Sequence, residues 1–329
     1  MEELLRSLCG ARGTAGAEGA AALLSNYCAV RIDPLGSVAG ERPGAGPHIL
    51  LDAHLDQVGM AVTAVEEGGF VRVTGVGDMD LRVLAAQEVI IHGREEVYGV
   101  IPATPPHLSE DEGKATGWAA LCVDTGLTRE KAQALIPLGS RVTLRMPPAR
   151  LLGECFSSPG LDDRAGVAAI LRCMELLEGA DCHVTALFSV QEETGGSGAQ
   201  VAGFASAPDC AIAVDVSFAA APGIDPRKAP GNLGGGAMIG VAPGLDYAMG
   251  EELIRLAGEN GIPFSLEIMG GRTHTNADRL QSAGPGIPCA LLSIPLRNMH
   301  TGGEVVDLRD IEAVAQLLCV YIRERGCRA

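Results

Sequence analysis

Two adjacent carboxylates, Glu192 and Glu193, close the apolar run ALFSV and are followed at once by glycines at 195, 196 and 198. Buried acids cost several kcal/mol each unless a positive or hydrogen-bonding group meets them. Other segments carry related groups: His54 and Asp56 in HILLDAHLD (48–56), Asp162 and Asp163 in LDDR, Asp215 in CAIAVDV (210–216), and His300 beyond CALLSIP (289–295). Six acids cannot cluster in ionised form without compensation, and no basic run lies near them in sequence. Imidazole with carboxylate suits divalent zinc, cobalt or manganese. With two histidines and several acids, two ions ~3.5–4 Å apart, bridged by a carboxylate and activating a water, are more natural than one. Adjacent Glu192 and Glu193 can then divide the work, one binding metal and the other acting as general base. Asp56, two residues after His54 in a strand, is expected to accept the second imidazole N–H and orient the ring.

These residues need a frame that brings distant segments together. HILLDAHLD, HVTALFSV (183–190), CAIAVDV and CALLSIP read as continuous apolar strands, the signature of a sheet buried on both faces. Helices are expected after LDDR, in AMGEELIRLAGENG and over LRDIEAVAQLLCVYIRER (308–325), with further helices over 2–9 and 14–27. This alternation predicts an α/β fold, a mostly parallel sheet flanked by helices, with function at the C-terminal ends of its strands. Between about 61 and 150 the pattern changes to short β-like runs separated by turn residues, with a polar loop at 102–117. That region is expected to be a small all-β, barrel-like domain inserted into an α/β domain of residues 1–60 and 151–329.

The 329 residues are 47% hydrophobic, enough for a large core, while 3% aromatics make that core aliphatic. The net charge of −16 and the lack of a basic stripe argue against a nucleic-acid partner. No apolar run approaches the ~18 residues of a membrane span, and no leader is visible, so a cytoplasmic location is expected. The ten cysteines are scattered, without a CxxC, and read as reduced.

His54-Leu-Asp56, LDDRAG (161–166), QEETGGSGA (191–199), VDVSFAAAPG (214–223) and PLRNMHTGGEVVDLRD (295–310) together resemble the glutamyl-aminopeptidase and tetrahedral-aminopeptidase family of co-catalytic metallopeptidases, some of which carry cellulase labels. The resemblance implies a metallo-aminopeptidase acting on peptides, with two divalent ions per subunit. It implies His54, Asp162, Glu193, Asp215 and His300 as ligands, Asp162 bridging, Glu192 as the base and Asp56 as a supporting acid. It also implies a cis peptide at Asp162–Asp163 and assembly into dimers or tetrahedral dodecamers. Asp246 is placed near the substrate on the same ground alone. Gln57, where the family often has Glu, and GGRTHTNADRLQ (270–281), in place of a Gly-Gly-Thr-Asp-Ala run, depart from the pattern and leave the preferred N-terminal residue open.

Several polar residues have plainer readings. Asp163 is expected to cap the helix that follows it. His48, His92, His183 and His107 read as ordinary structural or loop histidines, and SEDEGK (109–114) as a solvated loop. His274 either donates a hydrogen bond to a tetrahedral intermediate or lines a wall. GNLGGGA (231–237) lacks the frame and Lys of a phosphate loop. A deacylase or carbohydrate-active hydrolase on the same metals, or a silent assembly protein, are the alternatives. A glycosidase needs two free carboxylates, whereas these acids are committed to metal.

Overall fold

The structure, a computed structural model, describes residues 1–10, 22–108, 117–177 and 179–326. Residues 14–21 of the helix expected over 14–27, and residues 109–116 of the polar loop, including SEDEGK, lie outside the described residues. The main body is an eleven-stranded sheet. At its centre Val184–Ser189, Ile49–His54, Cys210–Phe218 and Cys289–Arg297 run parallel in that order. All six residues of Ile49–His54 and of Val184–Ser189 are buried, as continuous apolar runs require.

Strands flanking this centre turn antiparallel to it. Ala29–Ile32 and Val38–Arg42 pair with each other, and Glu304–Asp307 returns against Cys289–Arg297. The connections, residues 33–37 and 298–303, are too short for the crossover that a parallel neighbour demands. The sheet is therefore mixed, and a second parallel pair, Ala237–Val241 with Phe264–Ile268, joins it antiparallel to Cys289–Arg297.

Helices cover both faces. On one, Leu161–Leu176 and Leu308–Gly326 pack on Leu51, Phe188, Ile212, Val214 and Ile294. Buried Ala165, Ala168 and Ala169 are small enough to let the first of these helices lie close to the sheet. On the other face, Ser197–Ser206 and Ala277–Leu280 cover Leu50, Leu187, Ala213 and Leu291. Both of those helices were absent from the sequence reading.

A second sheet takes its six strands from residues 59–144 and is antiparallel throughout. Its ends are joined by a bridge in which the Val100 and Asp124 amides each donate to the other's carbonyl, at 2.9 and 2.8 Å, so the sheet nearly closes into a barrel. Met60, Val62, Val73, Val89, Ile91 and Val142 fill it as a separate core. The helix Arg129–Leu135, started by the Thr128 side chain, was also missed. No helix among the described residues is long and apolar enough to cross a membrane.

One fully buried cation ties the N-terminal helix Glu2–Gly10 to the centre. The Arg164 guanidinium donates to the carbonyl of Leu8 at 2.6 Å and to that of Leu55 at 3.1 and 3.3 Å. Substituting Arg164→Met keeps much of the volume but orphans both carbonyls. It is expected to lower the unfolding free energy by about 2–4 kcal/mol. Urea unfolding of the two proteins checks this, and an unchanged midpoint would contradict it.

Candidate metal centre

The register of the parallel strands sets the site. Ser189 pairs with His54 and Asp215 with Ser293, so the strand ends line up. His54 is the last residue of its strand, and Glu192 and Glu193 follow Ser189 across a tight turn. In that turn Gln191 adopts a left-handed backbone, and its carbonyl accepts the Gly196 amide at 2.6 Å. Gly196, with φ of 71°, leaves room only for hydrogen, because a Cβ there would come within 2.5 Å of the Arg279 side chain. Asp162 and Asp163 stand at the start of Leu161–Leu176 with non-helical angles, and the bond between them is cis, as expected. His300 sits in the return loop before Glu304–Asp307.

The five expected ligands meet. The Asp162 carboxylate lies between two imidazoles, Oδ1 at 3.0 Å from His54 Nε2 and Oδ2 at 3.2 Å from His300 Nε2. Glu193 Oε1 is 3.5 Å from His300 Nε2, and Asp215 Oδ1 is 3.9 Å from His54 Nε2. Glu193 Oε1 is buried without a hydrogen-bond partner. The other nitrogen of each ring is committed. His54 Nδ1 is 2.9 Å from the Asp56 carbonyl and His300 Nδ1 is 2.9 Å from the Asp78 carbonyl. A carbonyl only accepts, so each Nδ1 carries a proton, and in the neutral ring each Nε2 presents its lone pair to the carboxylates. Lone pairs facing lone pairs are repulsive unless a proton or a cation stands between them. Among the described residues no Lys or Arg is ion-paired to this cluster. The donor set therefore fits divalent cations, and Asp162 has one oxygen on each side for a bridging position. His54, Asp162 and Glu193 form one candidate group within 4.8 Å, and His54, Asp163 and Asp215 a second.

The surrounding acids act through backbone amides. Asp163 accepts from the His54 amide at 3.2 Å and the Gly166 amide at 3.0 Å, which is the expected capping role, while it also belongs to the second candidate group. The Asp56 carboxylate does not take the His54 ring proton. The strand ends at His54, so the two-residue alternation no longer governs Asp56; its carbonyl receives the ring, and its carboxylate stays 3.7 Å away. It accepts instead the amides of Glu192 at 3.1 Å and Glu193 at 3.2 Å. Glu304, absent from the sequence reading, is buried and accepts the amides of Asp162 at 3.2 Å and His300 at 2.8 Å. The Asp78 carbonyl was missed as well, since a backbone oxygen leaves no trace in residue type.

The centre opens into a cleft of about 1140 Å³ lined by Glu192, Ser217, Glu267 and the 268–275 segment, His274 included. His274 is exposed, with φ of 58°, and its amide donates to Asp278. Asp246 is not a cleft wall: it begins the helix Tyr247–Glu259, its carboxylate accepting the Met249 amide at 2.9 Å. His48, His92 and His183 bond to Thr185, Thr143 and Glu41, away from the cleft. In the 231–237 loop the amides of Gly234 and Gly236 are already taken by Asp310.

A family model described as M42 glutamyl aminopeptidase matches residues 36–317, and the chain belongs to that family. It is 33% identical over 301 residues to a lysyl aminopeptidase of Pyrococcus furiosus, covering 90% of this chain and 87% of that protein. Its fold superposes on an aminopeptidase of the archaeon Desulfurococcus kamchatkensis with a TM-score of 0.92 at 31% identity, over 98% of this chain and 94% of the other. A Pyrococcus horikoshii TET1 peptidase, which can assemble into a tetrahedron or a large octahedral shell, aligns with a TM-score of 0.85 at 28% identity, over 98% and 99% of the chains.

Proton linkage gives the cluster a measurable signature. Without cations, burial raises the Glu192 carboxyl to about 7 and the Glu304 carboxyl to about 8. Burial pushes the His300 imidazole down, but Asp162 and Glu193 outweigh it and hold the ring at about 11. Each group binds more protons folded than unfolded, so stability falls as pH rises: from 4.5 to about 7 for Glu192, from 4.5 to about 8 for Glu304, and above 6.5 for His300. Burial also raises Asp162, but both imidazoles overcome it, and its opposite contribution is confined below 3.8. The gain in melting temperature on adding cobalt to chelator-stripped protein is therefore expected to grow from pH 5.5 to pH 8. A gain that shrinks over that range would contradict this account.

Proposed function

We propose that this peptidase is a two-metal aminopeptidase that removes N-terminal residues from short peptides. His54, Asp162, Glu193, Asp215 and His300 would hold the cations, with Asp162 between them. When bound, such a pair polarises the scissile carbonyl and lowers the pKa of a water toward 7. The observation that carries the reading is the Asp162 carboxylate set between two imidazoles whose outer nitrogens are both tied to carbonyls.

The chain's own residues supply the rest. Glu192 faces the cleft beside this cluster and would take the proton of the attacking water and return it to the leaving amine. A carboxylate suits that exchange once bound cations have lowered the pKa of the water. Asp56 is a positioning residue: by accepting the amides of Glu192 and Glu193 it fixes which of the two reaches the cations. His274 on the cleft wall would hydrogen-bond the developing oxyanion. The domain division, 1–60 with 151–329 against 61–150, is part of the same proposal. The barrel would serve assembly into homo-oligomers, a role supported by the shells that the TET1 peptidase forms.

Substituting Glu192→Gln is expected to keep the cations but lower kcat by about 10²–10⁴-fold, with KM little changed. EDTA should abolish wild-type turnover of aminoacyl anilides, and zinc, cobalt or manganese should restore it. Turnover by Glu192→Gln within a few-fold of wild type would remove Glu192 from this role.

A further inference from the structure

The cleft contains a fixed anion that the hydrolytic machinery does not use. Glu267, on the strand Phe264–Ile268, lines the cleft, and its carboxylate accepts hydroxyl protons from Ser217 and from Ser293, the latter at 2.8 Å. Among the described residues no Lys, Arg or His is ion-paired with it. Two hydroxyl donors hold the carboxylate in place without neutralising it, so a charge is displayed toward the cleft with no counter-ion.

Its position relative to the metal ligands is set by the sheet. Ser217 lies two residues beyond Asp215 on the same strand, and Ser293 faces Asp215 in register on the next. Alternation puts Asp215 and Ser217 on one face, about 7 Å apart along the strand. A group hydrogen-bonded to Ser217 is therefore a side chain's length from the cations. That lies within the reach of a lysine or arginine side chain on the carbon next to the scissile carbonyl. Met269 lines the cleft alongside and offers apolar surface to the methylene stem.

The cations of the cleft do not cancel this anion. Arg227, Lys228 and Arg272 are exposed, where solvent screens them, and Arg227 is paired with Asp225. Arg279 lies along Gly196, on the turn that carries Glu192 and Glu193.

We propose that Glu267, held by Ser217 and Ser293, selects substrates whose N-terminal residue is lysine or arginine. The inference rests on the aminopeptidase reading and deepens it. The test compares lysyl, arginyl, leucyl and glutamyl anilides on cobalt-loaded enzyme, wild type and Glu267→Gln. Wild type is expected to favour lysyl over leucyl by at least about tenfold in kcat/KM, and Glu267→Gln to lower that ratio by about tenfold. Free L-lysine should inhibit wild type more strongly than L-norleucine, an uncharged analogue that lacks the terminal nitrogen, and the two should become equal in the variant. If Glu267→Gln fails to fold, Ser293→Ala, which removes one of the holding hydroxyls, should lower the same ratio. A wild-type ratio at or below one would overturn the proposal. So would an equal loss on all four anilides, which would make Glu267 an α-ammonium site. Absence of hydrolysis with every anilide would instead sink the aminopeptidase reading, while the lysine–norleucine comparison, read by calorimetry, would still judge Glu267.

Discussion

The placement of the Asp162 carboxylate between the Nε2 atoms of His54 and His300 is the constraint on which the rest of the molecule depends. Without a cation both rings hold a second proton on Nε2 and donate it to this carboxylate, which raises both imidazoles against the burial that lowers them; divalent ions would take the place of those protons. Both rings are pinned from behind. The carbonyl of Asp56 holds one and the carbonyl of Asp78 holds the other. The fold thus builds a hole that only positive charge can fill, and the sheet register decides where that hole lies.

Around it the protein uses carboxylates in two physically distinct ways. Asp162, Glu193 and Asp215 face the centre. Asp56, Asp163 and Glu304 face backbone amides, each accepting two of them. The second group fixes the backbone of Asp162 and Glu193 and of the neighbouring His54, His300 and Glu192: Glu304 spans Asp162 and His300, Asp163 holds His54, and Asp56 holds Glu192 and Glu193. Amide hydrogen bonds to an ionised acceptor are among the stronger ones available. They let ligand side chains converge from separate strands and loops without each needing its own packing.

How much of this could be read from the chain follows from the same distinction. The parallel centre was legible because a strand buried on both faces must be apolar throughout, as in Ile49–His54 and Cys210–Phe218. The edge strand Ala29–Ile32 was not, since its residues are mostly exposed and show no such run. The residues that meet at the centre were legible as His and carboxylate beyond strand ends. Glu304 was hidden because its partners are amides, which every residue but proline owns, and Asp78 because only its carbonyl is used. Asp246 was misplaced for a local reason: an acid opening a helix satisfies the free amides of the first turn, and that need claimed its side chain. Nothing beside Glu267 in sequence marks it, because the hydroxyls that hold it, Ser217 and Ser293, reach it only through the pairing of distant segments.

The barrel is not a passive addition to the α/β body. The Asp78 carbonyl that sets the His300 tautomer comes from its strand connection, and Gly77, with φ of 73°, passes so close to Glu193 that a Cβ would stand 3.3 Å from that carboxylate. One of the two rings flanking Asp162 is therefore oriented by one half of the molecule and carried by the other. A shift of the barrel against the main sheet would free His300 Nδ1, allow the ring to change tautomer and withdraw a lone pair from the centre. The docking of the barrel and the affinity of the centre for cations are thereby coupled, so an assembly that clamps the barrel in place would also sharpen the site.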